Sequence, residues 1–165
     1  MYRGRSNFYD VGGVAVLLDF AHNARGLAAV AEMARGVNCR RRLIILGQAG
    51  DRTDESIREL ARSAMNLNPD LVVVREMEKY LRGREPGVIP KMLAEQLREC
   101  GLAESQLEVV DSEETAVRRA FEWSQPGDLL VLPVLVDRDA AAALVSELQD
   151  SGWEPGSPLP VRSLR

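Results

Sequence analysis

Short apolar runs recur along the chain, and residues on a helical repeat fill the gaps between all but the first two of them. The runs are Phe8 to Val11, Val14 to Asp19, Leu43 to Leu46, Leu71 to Val74, Leu107 to Val110 and Leu129 to Leu132. Each is short and bounded by turn formers or charges, which predicts strands rather than helices. Between them Leu27, Val30, Ala31 and Ala34, then Ile57, Leu60, Ala61 and Ala64, then Ile89, Met92, Leu93 and Leu97 return every three or four positions. Each set lines one face of a helix. Val117, Ala120 and Phe121, and later Ala141, Leu144, Val145 and Leu148, continue the series. Gly12-Gly13 joins the first two runs by residues that take positive φ without strain, so these runs form a hairpin. The alternation predicts a three-layer, doubly wound α/β fold: a mostly parallel sheet, helices on both faces, and Phe8 to Val11 as an antiparallel edge strand. Asp111 with Glu114 has the form of a capping box for the fourth helix, and Asp137 is placed to cap the fifth. Residues 1–150 read as one domain; residues 151–165, with Pro155, Pro158 and Pro160, read as a surface or loose tail.

Composition narrows the class. A chain of 165 residues with 45% hydrophobic and 28% charged residues can build a core without disulfides or metals. Its 21 basic and 25 acidic side chains give a net charge of -4, which argues against a nucleic-acid partner. Cys39 and Cys100 lack metal-like spacing and His22 is the single histidine, so no metal site is expected in this chain. No run approaches membrane-spanning length and no leader pattern opens the chain. The expectation is a cytoplasmic protein with free thiols.

The chemistry-bearing residues share one address. Parallel strands point their carboxyl ends the same way, so segments just past them converge. Those segments are Asp19-Phe20-Ala21-His22-Asn23, Gly50-Asp51-Arg52-Thr53-Asp54-Glu55, and Glu76 and Glu78 followed by Leu81-Arg82-Gly83-Arg84-Glu85-Pro86-Gly87. Helix N-termini after the first strands add backbone N–H groups and positive dipole ends, so a charged ligand is expected there. Taken singly, each segment has an ordinary structural reading: Asp19 as a cap, Thr53 or Asp54 as the cap after a βα turn, Arg82-Gly83-Arg84 as a solvated turn. Their common position favours function. The chain contains no Gly-x-x-x-x-Gly-Lys-Ser/Thr loop, no Gly-x-Gly-x-x-Gly after the first full strand and no serine-hydrolase elbow, so it is not expected to carry out reaction chemistry alone.

Together these segments resemble the C-terminal domain of Mur-type ligases, with most similarity to the cyanophycin synthetase branch. Asp-Phe-Ala-His-Asn stands where the family usually reads Asp-Tyr-Ala-His followed by Asn-Pro or Thr-Pro. Arg5, Gly50-Asp51-Arg52 with Asp54 and Glu55, and Leu81-Arg82-Gly83-Arg84 carry the rest, and the resemblance runs from Gly4 to Leu148. It implies a Rossmann-like domain that closes on an upstream P-loop ligase domain. The enzyme class joins an amino group to a carboxylate with ATP and Mg2+, through an acyl-phosphate that the incoming amine attacks. By resemblance, Arg5 would sit at the interdomain hinge and reach the phosphates, and His22 would stand beside it at the reacting end. Asp19 would accept from the ribose, with His22 and Asn23 at the nucleotide and phosphate side. Asp51, Arg52, Glu76, Arg82 and Arg84 would form the amino-acid side. If that amino acid is arginine, Glu76 and Glu78 suit its guanidinium, and Arg82 or Arg84 its carboxylate. Phe20, Ala24 and Ala49 depart from the family's usual Tyr, Pro and Pro. A stand-alone amino-acid or nucleotide-binding module without ligase chemistry is the alternative expectation.

Overall fold

The computed structural model describes residues 6–161, so Arg5 lies outside the described residues. β1 (Ser6–Val11) and β2 (Val14–Asp19) form the hairpin. There follow α1 (Ala24–Arg35), β3 (Arg42–Leu46), α2 (Asp54–Ala64), β4 (Leu71–Arg75), α3 (Val88–Glu99), β5 (Leu107–Val110), α4 (Glu113–Trp123), β6 (Leu129–Pro133) and α5 (Arg138–Asp150). All the expected elements are present. The strands make one sheet in the order β1-β2-β6-β3-β4-β5. β1 runs antiparallel to β2, with Ser6 opposite Asp19 and Val11 opposite Val14, and the other pairings are parallel.

The middle residues of the interior strands are apolar because each strand is covered on both faces. Leu17, Ile44, Val72 and Val131 face a core shared with Leu27, Ile57 and Leu93 of α1, α2 and α3. Their neighbours Leu18, Ile45, Val73 and Leu132 face a second core with Phe121 of α4 and Val145 of α5. The fold is therefore a three-layer, mostly parallel α/β domain with an antiparallel edge, as the pattern predicted.

Local capping follows the sequence at α2 and α5 and departs from it at α4 and at α1, where Asn23 and not Asp19 is the cap. Asn23 Oδ1 accepts from Gly26 N at 2.8 Å, Thr53 Oγ1 from Ser56 N at 3.1 Å, and Asp137 Oδ1 from Ala140 N at 2.9 Å. Before α4 the cap is Ser112, whose Oγ accepts from Thr115 N at 3.1 Å, in place of the expected Asp111–Glu114 box. Ser112 is the last extended residue, so its hydroxyl has the right offset, and the helix starts with Glu113 turned inward. The tail crosses the surface as far as Val161 with a firm anchor: Trp153 is buried edge-on against Phe121, with centroids 5.9 Å apart. Arg118 Nη2 donates to Pro160 O at 2.7 Å and holds the segment beyond it.

Among the described residues, no helix is long and apolar enough to cross a membrane. Both thiols are free, Cys39 half-buried and Cys100 exposed. Burial pushes the Cys39 thiol pKa up, so less of it is thiolate near neutral pH. Under limiting iodoacetamide at neutral pH, peptide mass spectrometry should find Cys100 modified before Cys39; the reverse order would contradict this burial pattern.

Candidate functional site

The sheet order creates the site. β2 and β3 lead into α1 and α2 on one face, while β6, lying between them, leads into α5 on the other. The chain therefore parts to opposite faces on either side of the β6 end, and a crevice opens at the carboxyl edge.

On the β2 side, Asp19 is buried and its Oδ2 accepts from Ala21 N at 2.7 Å, which shapes the turn into α1. The Asp19 carbonyl accepts from Val134 N at 2.9 Å, joining the β2 and β6 ends. His22 and Asn23 are exposed, and the Asn23 cap spends its side-chain oxygen on α1. Gln48 Nε2 donates to His22 O at 3.2 Å, so the segment after β3 supports the one after β2. A groove of about 740 Å³ opens here, with Asp19, His22, Asn23 and Arg25 at its polar end and Phe8 and Met33 on its apolar wall. Phe8 and Met33 are 49% and 44% exposed, unusually open for side chains of their size, and together they suit a flat apolar group.

The β3 and β4 segments interlock into one unit. Gly50 N donates to Tyr80 O at 2.8 Å, and a Cβ on Gly50 would lie 1.8 Å from the Leu81 carbonyl oxygen. Only glycine permits that crossing. Arg84 then ties the crossing down: Nε donates to Gly50 O at 2.9 Å, Nη2 donates to Arg52 O at 2.7 Å, and Nη2 pairs with Asp54 at 2.8 Å. Glu76 Oε2 accepts from Gly87 N at 2.6 Å, fixing the lead into α3. Asp51, Arg52, Glu78 and Arg82 remain exposed around this frame. Arg82 takes a left-handed φ of 51° and lays its guanidinium 5.3 Å from the Tyr80 ring centroid. The structure thus gathers Asp51, Arg52, Glu76, Arg82 and Arg84, although they span more than thirty residues of sequence.

Sequence reasoning missed a buried ion pair between these two groups. Arg75, the last residue of β4, is 1% exposed, and its Nη2 donates to Glu113 Oε1 at 2.9 Å and to Pro133 O at 3.3 Å. Glu113, at the first turn of α4, also accepts the backbone N–H groups of Leu135, Val136 and Asp137, at 2.5, 3.0 and 2.9 Å. One carboxylate therefore shapes the whole turn from β6 into α5. Burial pushes the Arg75 guanidinium pKa down from its ordinary value, and the charge of Glu113 partly restores it. A signal existed in the sequence: an arginine closing an otherwise apolar strand needs an acidic partner. What the sequence left open was which of Glu113 and Glu114 turns inward.

Fold and site together define a doubly wound, mostly parallel α/β domain whose charged segments sit at the carboxyl edge of its sheet. The chain belongs to the Mur ligase, glutamate ligase domain family, whose pattern it matches over residues 4–133. It is 27% identical over 136 residues to the cyanophycin synthetase of Nostoc sp. (strain PCC 7120 / SAG 25.82 / UTEX 2576), an alignment covering 82% of this chain and 15% of that protein. A UDP-N-acetylmuramoyl-L-alanyl-D-glutamate--2,6-diaminopimelate ligase superposes with a TM-score of 0.67 at 16% identity, covering 91% of this chain and 32% of that one. E. coli FolC in complex with ADP superposes with a TM-score of 0.56 at 18% identity, over 83% and 29% of the two chains. The chain therefore spans about a seventh of the synthetase and about a third of the structural relatives.

Proposed function

We propose that the chain is the C-terminal domain of an ATP-dependent amide ligase, holding the incoming amino acid and completing a nucleotide site begun by an upstream P-loop domain. The observation that carries this reading is the pairing, on one sheet edge, of an amphiphilic groove at the head of α1 with a charged frame after β3 and β4. A nucleotide suits the groove: Phe8 and Met33 offer the base an apolar wall, while Asp19, His22 and Asn23 border the sugar and phosphates. The free N–H groups of α1 favour negative charge at that end. Mg2+ would come with the nucleotide and take its protein ligands from the other domain, since no three-residue His, Cys, Asp or Glu cluster able to hold a metal occurs among the described residues. Arg5 and His22 keep their proposed roles at the reacting phosphates.

The amino acid belongs at the second frame, with Glu76, Glu78 and neighbouring Asp51 available to a basic side chain and exposed Arg52 at its rim. The two arginines of this frame divide the work. Arg84 is engaged by Gly50, Arg52 and Asp54, so its role is to position the frame, whereas exposed Arg82 is free to meet the amino acid's carboxylate. Holding the amine against a labile acyl-phosphate, with water excluded by domain closure, favours amide formation over hydrolysis. ATP supply places the protein in the cytoplasm.

Calorimetric titration tests the division. Arg82→Ala should weaken arginine binding by about tenfold, the loss of one charge-assisted contact, with unchanged thermal stability. Arg84→Ala should lower stability as well as binding. Full-strength arginine binding in Arg82→Ala would remove it from the site. The chain by itself should bind ATP weakly and hydrolyse none, and robust hydrolysis by the purified chain would refute the shared-site reading.

A further inference from the structure

The geometry points to a seat for a single oxygen of a carboxylate or phosphoryl group at the carboxyl ends of β3 and β6, formed by the guanidinium of Arg75. Nε and Nη1 of Arg75 are fully buried and have no hydrogen-bond partner among the described residues. An ionised guanidinium is costly to bury, and each buried N–H without an acceptor adds to that cost. Glu113 balances the charge but touches only Nη2, and its own oxygens are shared with the backbone of residues 135 to 137. The charges cancel, but the N–H groups of Nε and Nη1 remain without an acceptor.

A void of about 10 Å³ is lined by Arg75, Gly47, His22, Pro133 and Leu135 together with apolar side chains of β3, α1 and α2. That volume admits about one oxygen atom. Gly47 makes room for the guanidinium, because a Cβ there would stand 2.1 Å from Arg75 Nη1. Of its lining residues His22 is exposed and Leu135 is half-buried, so a ligand would approach from the side where the β2 and β6 segments part. An anionic ligand would place one oxygen on the buried donors and leave its remaining atoms at the mouth beside His22. The seat requires only oxyanion chemistry and does not rest on the ligase reading. It is separate from the frame held by Arg84, and nothing in the positions of Asp51, Arg52, Glu76, Arg82 and Arg84 supplies it.

The test uses the full chain, with inorganic phosphate and acetate as probes in chloride buffers of constant ionic strength. Binding is followed by calorimetry and by the melting temperature, and the oxygen is located by crystallography with each probe. Phosphate binding with an oxygen within hydrogen-bond distance of Nη1 supports a phosphoryl ligand; the same result with acetate alone supports a carboxylate. Gly47→Ala should weaken the probe that binds by at least about tenfold, since it displaces the donor. The double variant Arg75→Met with Glu113→Gln removes both charges yet leaves the residue 135 to 137 N–H groups an acceptor, so it should fold and fail to bind. Saturating concentrations of both probes that leave only water on Nη1, or unchanged affinity in the double variant, would overturn the proposal.

Discussion

Replacing Glu113 by alanine should lower the unfolding free energy by about 3 to 5 kcal/mol, the cost of stranding one member of a buried ion pair. The Arg75 guanidinium would keep its charge with no carboxylate, and the N–H groups of Leu135, Val136 and Asp137 would lose their acceptor. Because those residues form the turn into α5, the loss should extend past stability to the shape of the crevice. Urea denaturation of Glu113→Ala, Glu113→Gln and the parent chain separates the contributions. Glutamine keeps one carbonyl oxygen for the turn while removing the charge, so it should fall between the other two. A shift below about 1 kcal/mol in the alanine variant, the range of an exposed ion pair, would show that the pair is solvated and not structural.

The second large effect is expected at Gly50. Its Cβ would meet the Leu81 carbonyl oxygen at 1.8 Å, and that oxygen belongs to backbone that Arg84 holds in place. Gly50→Ala must therefore separate the two segments, at a cost of about 1 to 3 kcal/mol or more. The Gly50 N–H bond to Tyr80 O breaks with it. Hydrogen exchange at Gly50 should become fast while exchange in β3 and β6 stays slow, and amino-acid binding should be lost. Unchanged exchange with intact binding would mean that the crossing is looser than the structure shows.

Much of the architecture was legible because burial on two faces leaves a plain trace. Ile44, Ile45, Val72 and Val73 are consecutive apolar residues with different helices above and below them, and no half-exposed strand reads that way. Only one edge was legible, the β1 strand of the hairpin: Leu107 to Val110 reads as a run like the interior ones, yet β5 closes the sheet, and its Glu108 pairs with Arg119 of α4 at 2.7 Å. The order of the interior strands was not readable, since β3, β4 and β6 look alike in sequence and only packing inserts β6 between β2 and β3. The crevice depends on that insertion, so its position could be stated only generally, as the carboxyl edge.

At the candidate site, residue types were readable and their commitments were not. Arg82 and Arg84 look equivalent two residues apart, yet one is exposed over Tyr80 and the other is held by two carbonyls and a carboxylate. Glu76 gives one oxygen to Gly87, and Asn23 gives its oxygen to the head of α1. Such partners are backbone atoms, which carry no mark in a sequence. The same reason hid Glu113, whose contacts are mostly main-chain N–H groups.

On the proposed function, one sheet edge carries two separate sites, a nucleotide site at the head of α1 and an amino-acid site on the frame after β3 and β4. The most direct measurement is the amide spectrum of the isotope-labelled chain, titrated first with ADP and then with arginine. ADP should shift residues 19 to 26 together with Phe8 and Met33, arginine should shift residues 50 to 54 and 76 to 87, and each should leave the other set nearly unmoved. Shifts from both ligands in one set, or from either ligand on the α4 and α5 face alone, would contradict the two-site arrangement.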